Sequence, residues 1–487
     1  MANFFNSAKH TTMHFASKPI FYIAILATVF LFGACGSYYQ RNLAFQNAFT
    51  MGQMEQALKQ LENKKAKKDR VKVLYYLNKG VVAQMLGDYE TSKQALLAAD
   101  RMVEDYQKNY GLEALTFLSN PNIIPYQAED FESVLMHYFQ AKNFLSLGDY
   151  EGAVVEVRRI NLQLNHINDI RKKRITYQRD AFALAMMGMI YEADGQHNDA
   201  FIAYRNAYEV YKEDYSKNYG VNVPAQLKQD LLRMAYKMKL SEDLAQYEKE
   251  FNQQYQPPAN KETGDLVFFW QNGLGPVKAE WALSFTVIPG EGGAITLKNE
   301  ELDLIIPFPA YNIGKEEKQG LLNTRIVRVV VPKFVERVPV YRSANLIFSG
   351  QKYPLNMGED INAIAIQNLR DRILREVGEA VVRTALKLAA SEAARTKNEG
   401  LGLAMNIASA ISERADTRNW QTLPHDIFYT RLSLPPGTHN LTLQTIEPSG
   451  NVREQPITVD IRKGKTAFVT YSSLETVNKP LEGMWGN

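Results

Sequence analysis

Between Tyr38 and Tyr255 the chain is rich in Ala, Leu, Tyr, Lys, Glu and Gln and poor in Pro, and its small, apolar and polar positions recur in a fixed order. Residues 79–99 read KGVVAQMLGDYETSKQALLAA, residues 140–160 read QAKNFLSLGDYEGAVVEVRRI, and residues 187–207 read MGMIYEADGQHNDAFIAYRNA. Each phrase has a small residue (Gly80, Ala141, Gly188) followed seven places later by glycine (Gly87, Gly148, Gly195). A ring comes two further on (Tyr89, Tyr150, His197), then a small residue (Ser92, Ala153, Ala200), then a bulky one (Leu96, Val157, Tyr204). The order predicts pairs of antiparallel helices. The two small residues let the helices approach, glycine supplies the left-handed stop of the first helix, and Asp88 or Asp149 caps the second.

This order of side-chain sizes resembles the tetratricopeptide repeat. The spacing departs from it: Gly87 to Gly148 is 61 residues and Gly148 to Gly195 is 47, against about 34 for tandem copies. Insertions, or degenerate hairpins such as one around Ala235 to Tyr247, must fill the gaps. The expectation is a divergent solenoid whose concave face holds a peptide or a partner helix. Tyr75, Tyr76, Tyr106, Tyr110, Tyr138 and Tyr191 are candidates to line that face, with core packing the plainer role for each.

After Gln256-Pro257-Pro258-Ala259-Asn260, read as a hinge, the pattern shifts to period two with β-branched residues. Strands are expected at 265–270, 282–288, 302–306 and 325–331, and again at 427–434, 439–444, 455–461 and 466–471. Pro289-Gly290-Glu291-Gly292-Gly293 lacks a following Lys-Ser or Lys-Thr pair and a helix behind it, so it reads as a strand-to-strand turn. Between the two groups of strands, 359–396 carries Ile361, Ile364, Leu369, Ile373, Val377, Val381 and Leu388 at helical spacing. A short apolar helix at 402–412 could lie against a membrane, but packing antiparallel to the preceding helix is the preferred reading. The fold class is therefore α+β and multidomain. A TPR-like helical-hairpin solenoid spans 35–255, a hinge 256–260, and a mixed antiparallel β domain 261–487 with the helical insertion 359–412.

The first 34 residues belong to neither half. Lys9, His10, His14 and Lys18 precede the apolar run PIFYIAILATVFLFGA at 19–34, with no acid before Cys35. That order is a secretory signal peptide. Leu31-Phe32-Gly33-Ala34-Cys35 resembles the bacterial lipoprotein signal, in which the cysteine is acylated and becomes the first residue of the mature chain. Phe32 stands where an aliphatic residue is usual, with Leu31 one place too early. Cys35 is the one cysteine of 487 residues, so a lipidated chain has no thiol left for a disulfide or a thiolate metal site. By the same resemblance, Gly36 in place of an inner-membrane-retaining aspartate implies the outer membrane, facing the periplasm.

Removing residues 1–34 takes away two lysines and no acid, so 56 basic residues become 54 against 53 acidic, a net charge of +1. Near-neutrality argues against a nucleic-acid binder. The dense cluster Lys64-Lys65-Ala66-Lys67-Lys68-Asp69-Arg70 reads as a solvated helix end or loop. The five histidines beyond the signal, His137, His166, His197, His425 and His439, show no metal-ligand spacing, and no G-x-S-x-G elbow is present. Neither a cofactor nor a metal is expected, and the chain reads as non-enzymatic.

Asp416, Arg418 and Trp420 could hold a sugar or a partner arginine. They also fit a buried Asp–Arg pair beneath a tryptophan that locks a helix–strand junction, which is the preferred reading. Pro435-Pro436-Gly437-Thr438-His439 resembles a turn element of small periplasmic β-sandwich modules. Together, the lipoprotein signal, the GDY hairpins, Asn272-Gly273-Leu274-Gly275-Pro276-Val277-Lys278, the 416–424 segment and Leu434-Pro435-Pro436-Gly437 resemble a family of bacterial repeat-containing envelope lipoproteins. That resemblance implies envelope proteins as partners, and company with small lipoproteins related to penicillin-binding-protein activators. It hints at cell-wall or envelope assembly and supplies no catalytic residues. The alternative reading is binding of an envelope polymer, peptidoglycan or polysaccharide.

Overall fold

The computed structural model describes residues 37–62, 68–108, 124–171, 175–257, 262–291, 294–308, 314–397 and 414–477. Cys35 and the signal region, the basic cluster at 64–67, Tyr110 and the helix expected at 402–412 lie outside the described residues.

Among the described residues five helical hairpins run in sequence: α1 (Leu43–Thr50) with α2 (Met54–Leu61), α3 (Lys72–Met85) with α4 (Tyr89–Lys108), and α5 (Asp130–Ser146) with α6 (Tyr150–Arg171). α7 (Ala181–Ala193) with α8 (His197–Val210) and α9 (Ala225–Lys237) with α10 (Ser241–Phe251) complete the array. The turn glycines adopt the left-handed conformation that a Cβ disfavours, with φ of +78° at Gly87, +75° at Gly148 and +83° at Gly195. Asp88 accepts the Thr91 N–H at 3.0 Å and Asp149 the Gly152 N–H at 2.8 Å, capping the second helices. The small-to-bulky pairs are real contacts. A Cβ on Gly80 would lie 2.6 Å from Leu96, and one on Gly188 would lie 2.5 Å from Tyr204. The degenerate hairpin near Ala235 is α9–α10, where Lys239 takes the left-handed position at φ 57° without glycine's freedom.

The described residues of the second half form three four-stranded sheets. The first has the order β12 (Thr466–Ser473), β1 (Gly264–Asn272), β9 (Asp426–Leu434), β8 (Asn356–Asp360). Its β1–β12 pair is parallel and the others are antiparallel. Alternation along β1 divides its side chains between two cores. Leu266, Phe268 and Trp270 pack toward a second sheet of order β11 (Val452–Ile461), β10 (Gly437–Ile446), β6 (Ser343–Phe348), β7 (Gln351–Pro354). Val267 and Phe269 face the helices. A strand buried on both faces explains the unbroken apolar run LVFFW.

The third sheet, β4 (Leu304–Phe308), β3 (Ile295–Asn299), β2 (Val277–Pro289), β5 (Ile326–Val335), forms a satellite core. It packs against α11 (Lys315–Thr324) and the distal part of α12 (Ile361–Lys397). At 37 residues α12 is roughly 55 Å long. Ile361, Ile364 and Ala365 at its start join the helical core, and Val377, Val381 and Ala385 join the satellite. The fold is thus α+β with a TPR-like helical array and mainly antiparallel sheets. The halves on either side of 256–260 share one continuous core, in which Phe182 of α7 touches Phe269 and Tyr429 at ring distances of 6.1 Å.

Candidate functional site: a filled groove and a charged cleft

The first helix of each hairpin lines the inner face, which is where hairpin solenoids hold ligands. In this protein the chain's own segment 415–425 lies there. Trp420 is 1% exposed and packs against Phe139 of α5 with the rings tilted by 48° and their centroids 5.4 Å apart; its backbone N–H donates to Glu132 at 2.7 Å and its indole N–H to Thr422 at 2.8 Å. The Thr422 hydroxyl donates to Asn78 of α3 at 3.0 Å. Gln46 of α1 donates to the Gln421 side chain at 2.6 Å, and Thr417 accepts the Tyr38 N–H at 2.9 Å.

Arg418, 2% exposed, forks onto Asp416 at 2.6 and 2.8 Å. It also donates to the carbonyls of Arg70 at 2.6 Å and Ile124 at 2.8 Å, with its guanidinium 5.6 Å from the Tyr126 ring centroid. Burial pulls its pKa down, but the hydrogen bond and charge of Asp416 outweigh that and hold it above its ordinary value. Asp416 and Arg418 therefore form an ion pair that ties the connector to the helical array, and Trp420 presents no open ring face.

The segments 272–278 and 416–424, far apart in sequence, meet here. The Gly275 N–H donates to the Leu423 carbonyl at 2.7 Å, and the Asn419 amide donates to the Pro276 carbonyl at 2.9 Å. Gly275 faces the Pro424 carbonyl, 3.2 Å from where a Cβ would sit, so a side chain there would crowd the connector. Arg337 closes the join, donating to the carbonyls of Gly275 and Gln421 at 2.6 Å each. Burial lowers its pKa to about 10.

Buried ion pairs bind the halves on both sides of this connector. Glu129, at the start of α5, is held by Lys278 of β2 and Arg372 of α12. Burial would raise its carboxyl, but the two cations outweigh that and hold it well below the usual range. Its neighbour Glu132 has no such pair, and burial together with the Glu129 charge pushes it up to about 7. At the other end Arg431 of β9 meets Glu192 at 3.0 Å and Asp265 at 3.2 Å, while Arg233 takes Glu192 at 2.8 Å and Asp230 at 2.7 Å.

The tyrosine candidates among the described residues serve the core. Tyr138 is 2% exposed, and Tyr75 is 6% exposed with its hydroxyl donating to Glu62 at 2.8 Å. Tyr76 is half-buried edge-on to Tyr75, at 5.0 Å. Tyr191 accepts from Arg158 at 3.0 Å.

Two features were not read from the sequence. Asp360, His425 and Asp426 converge with ligand atoms within 4.8 Å of one another. Both ring nitrogens of His425 already face carboxylates, Asp426 at 2.8 Å and Glu336 at 3.1 Å, so a doubly protonated ring satisfies the group. Burial would lower the His425 pKa, but the Asp426 hydrogen bond and charge outweigh it and raise it. Burial and the Asp426 charge push Asp360 up to about 6.

The second is an open cleft of about 550 Å³ between the lead-in to α5, the end of α6, one stripe of α12, and residues 414–418. Lys278, Arg372 and Arg418 sit at its inner wall, committed to Glu129 and Asp416. Arg171, Arg375, Arg383 and Arg414 stand around its mouth. The lining holds seven cationic side chains against four carboxylates, Glu129, Glu376, Glu379 and Asp416. Neither the pattern along α12 nor the 414–418 segment alone signals it, because four separate elements, α6, β2, α12 and residues 414–418, supply the charge.

No family profile and no curated protein matches this chain. Among solved structures, MamA from Desulfovibrio magneticus RS-1 is similar at 16% identity over 44% of this chain and 89% of its own, with a TM-score of 0.28. The apo form of RapI is similar at 12% identity over 44% of this chain and 68% of its own, TM-score 0.32. A putative kinesin light chain from Podosopora anserina with nearly identical TPR-like repeats is similar at 10% identity, over 44% and 92%, TM-score 0.30. Similarity at this level bears on neither partner nor activity.

Proposed function

We propose that the protein is a non-enzymatic, lipid-anchored scaffold of the cell envelope that holds other envelope proteins, working in cell-wall or envelope assembly from the periplasmic side of the outer membrane. The observation that carries the docking role is the five-hairpin array, an architecture that presents extended contact surface. What supports the anchor is the sequence order of basic residues, apolar run and lone Cys35. Two or three acyl chains on one terminus would hold the protein firmly at a membrane. Among the described residues no helix is long and apolar enough to cross one.

Because residues 415–425 fill the inner face along α1, α3 and α5, and β8 and β9 pack on α7 and α9, the docking surface lies elsewhere on the molecule. Mild crosslinking in cells followed by affinity capture of the full chain tests the reading. Reproducible recovery of the same envelope proteins is expected, and recovery of none contradicts it. Mass spectrometry of the mature N-terminus tests the anchor separately: an acylated Cys35 is expected, and an unmodified terminus at any other residue removes it.

A further inference from the structure

Ser37, the first described residue, is fixed on the body of the protein. It is 7% exposed and caps the single helical turn Tyr38–Arg41. Its hydroxyl accepts the Gln40 N–H at 3.3 Å, and its own N–H donates to the Gln40 side chain at 2.8 Å. The Tyr38 ring is buried, and the Tyr38 N–H donates to Thr417 of the connector at 2.9 Å. Asn42 closes the turn, donating to the Tyr38 carbonyl at 2.8 Å. Cys35 stands two residues before this fixed point, and two residues span at most about 7 Å. The polar layer on each side of a bilayer is itself only about 5–7 Å deep. Acyl chains on Cys35 that enter the hydrocarbon therefore bring the surface around Ser37 into that layer.

The next element along the chain is α1, at the end of the helical array, where it packs on α2 and α2 on α3. The free end of a solenoid needs a polar outer face to stay in water. α1 does not supply one. Asn42 to Met54 contains no charged residue, in a chain that is 22% charged. Phe45, Gln46, Ala48 and Phe49 turn inward and are buried. Leu43, Ala44, Asn47 and Met51 are exposed, Leu43 by 45% and Met51 by 71%. At 3.6 residues per turn these four share one arc of about 100°. Other outward faces carry charge: α2 exposes Glu55 and Lys59, and α6 mixes Val155 and Leu162 with Glu151, Arg158 and Asp169.

We propose that this uncharged face of α1 is a second contact with the lipid surface, lying in the polar layer beside the acyl chains of Cys35. The inference rests on the lipid-anchor part of the reading above and fixes how the anchored protein stands, with its first hairpin against the bilayer. The face needs little affinity of its own. A tether of two residues holds it at the surface at high effective concentration, and Leu43 and Met51 then sink their side chains at the edge of the hydrocarbon.

The test uses the full chain, purified with its acyl group and placed in phospholipid vesicles. Acylated Cys35 has no thiol, so Leu43→Cys, Met51→Cys and Val452→Cys each offer one position for an environment-sensitive fluorophore. Val452 is the matched control: apolar, 51% exposed, and on β11 of the second sheet, which the first sheet separates from the helices. A blue shift is expected at both α1 positions, with loss of emission when the vesicles carry lipids spin-labelled near the headgroup, and neither change at the control. Water-like, unquenched emission from α1 while the protein floats with the vesicles overturns the proposal and leaves the anchor standing. Shifted emission that the lipid-borne quencher does not reach also overturns it, since a second copy or another protein then covers the face. Chain that mass spectrometry finds unacylated separates the two claims, with Cys35→Ser added to the same labelled variants. Lipid quenching at α1 then keeps the face and removes the anchor, and its absence removes both.

Discussion

The groove and the cleft adjoin each other, and Arg418 belongs to both. In the groove nearly every polar side chain of 415–425 meets a named partner at 2.6–3.3 Å, and Trp420 fills the space over Phe139. In the cleft the inner cations are matched to Glu129 and Asp416, and at the rim Arg171 meets Asp130 at 3.0 Å and Arg375 meets Glu379 at 3.8 Å, around an open space rather than a packed ring. The same helical array therefore spends its inner face on holding its own chain together and leaves a smaller, charged surface open. A hairpin array does not by itself locate a docking site, because the face that usually binds can be closed in cis.

This contrast can be broken or sharpened by substitution. The largest effect is expected at the groove. Trp420→Ala removes a fully enclosed ring between the halves, and its cost should be about 3–5 kcal/mol in urea unfolding of the full chain. A loss below about 1 kcal/mol would mean the connector is laid on the helices rather than built into them.

Lys142 sharpens the picture from beneath. It is buried in α5 against the rings of Tyr138 and Phe139, and burial alone lowers its pKa to about 7. The folded state then binds fewer protons than the unfolded chain between about pH 7 and pH 10, so stability rises with pH across that window. Lys142→Met should stabilise the protein by about 2–3 kcal/mol near pH 6, with the gain vanishing toward pH 10. A gain that does not change with pH would contradict this account of the lysine.

A smaller effect is expected at the hairpin turns. A Cβ at Gly148 meets nothing within 4 Å, so the cost of Gly148→Ala comes only from φ at +75°, about 1 kcal/mol by thermal unfolding. The smallest belongs to the cleft. Arg375, paired with Glu379 at 3.8 Å on an exposed face, should change stability by less than about 0.5 kcal/mol when replaced by Glu. A large loss there would make the cleft as structural as the groove and erase the difference between them.

What the sequence made legible was local. Glycines at +φ, the Asp88 and Asp149 caps, and the Gly80–Leu96 and Gly188–Tyr204 contacts follow from short-range order of residue size. Hairpin α9–α10 was faint because Lys239 holds the glycine position. Helix α11 and strands β3, β6, β7 and β8 are too short to show a period. The groove was hidden for another reason. Trp420 meets Glu132 across 288 positions and Thr422 meets Asn78 across 344, and no periodicity within either segment encodes the encounter. The sizes of Asp416, Arg418 and Trp420 suggested a lock, but only the folded chain supplies the carbonyls of Arg70 and Ile124 that complete it.

Amide hydrogen exchange across residues 415–425 of the intact protein addresses the filled groove most directly. If the connector is part of the core, the Trp420 and Arg418 amides exchange as slowly as those in the middle of α5 and α7, through global unfolding alone. Exchange of that segment within seconds, while the helices stay protected, would show an inner face open to outside ligands and would contradict the account.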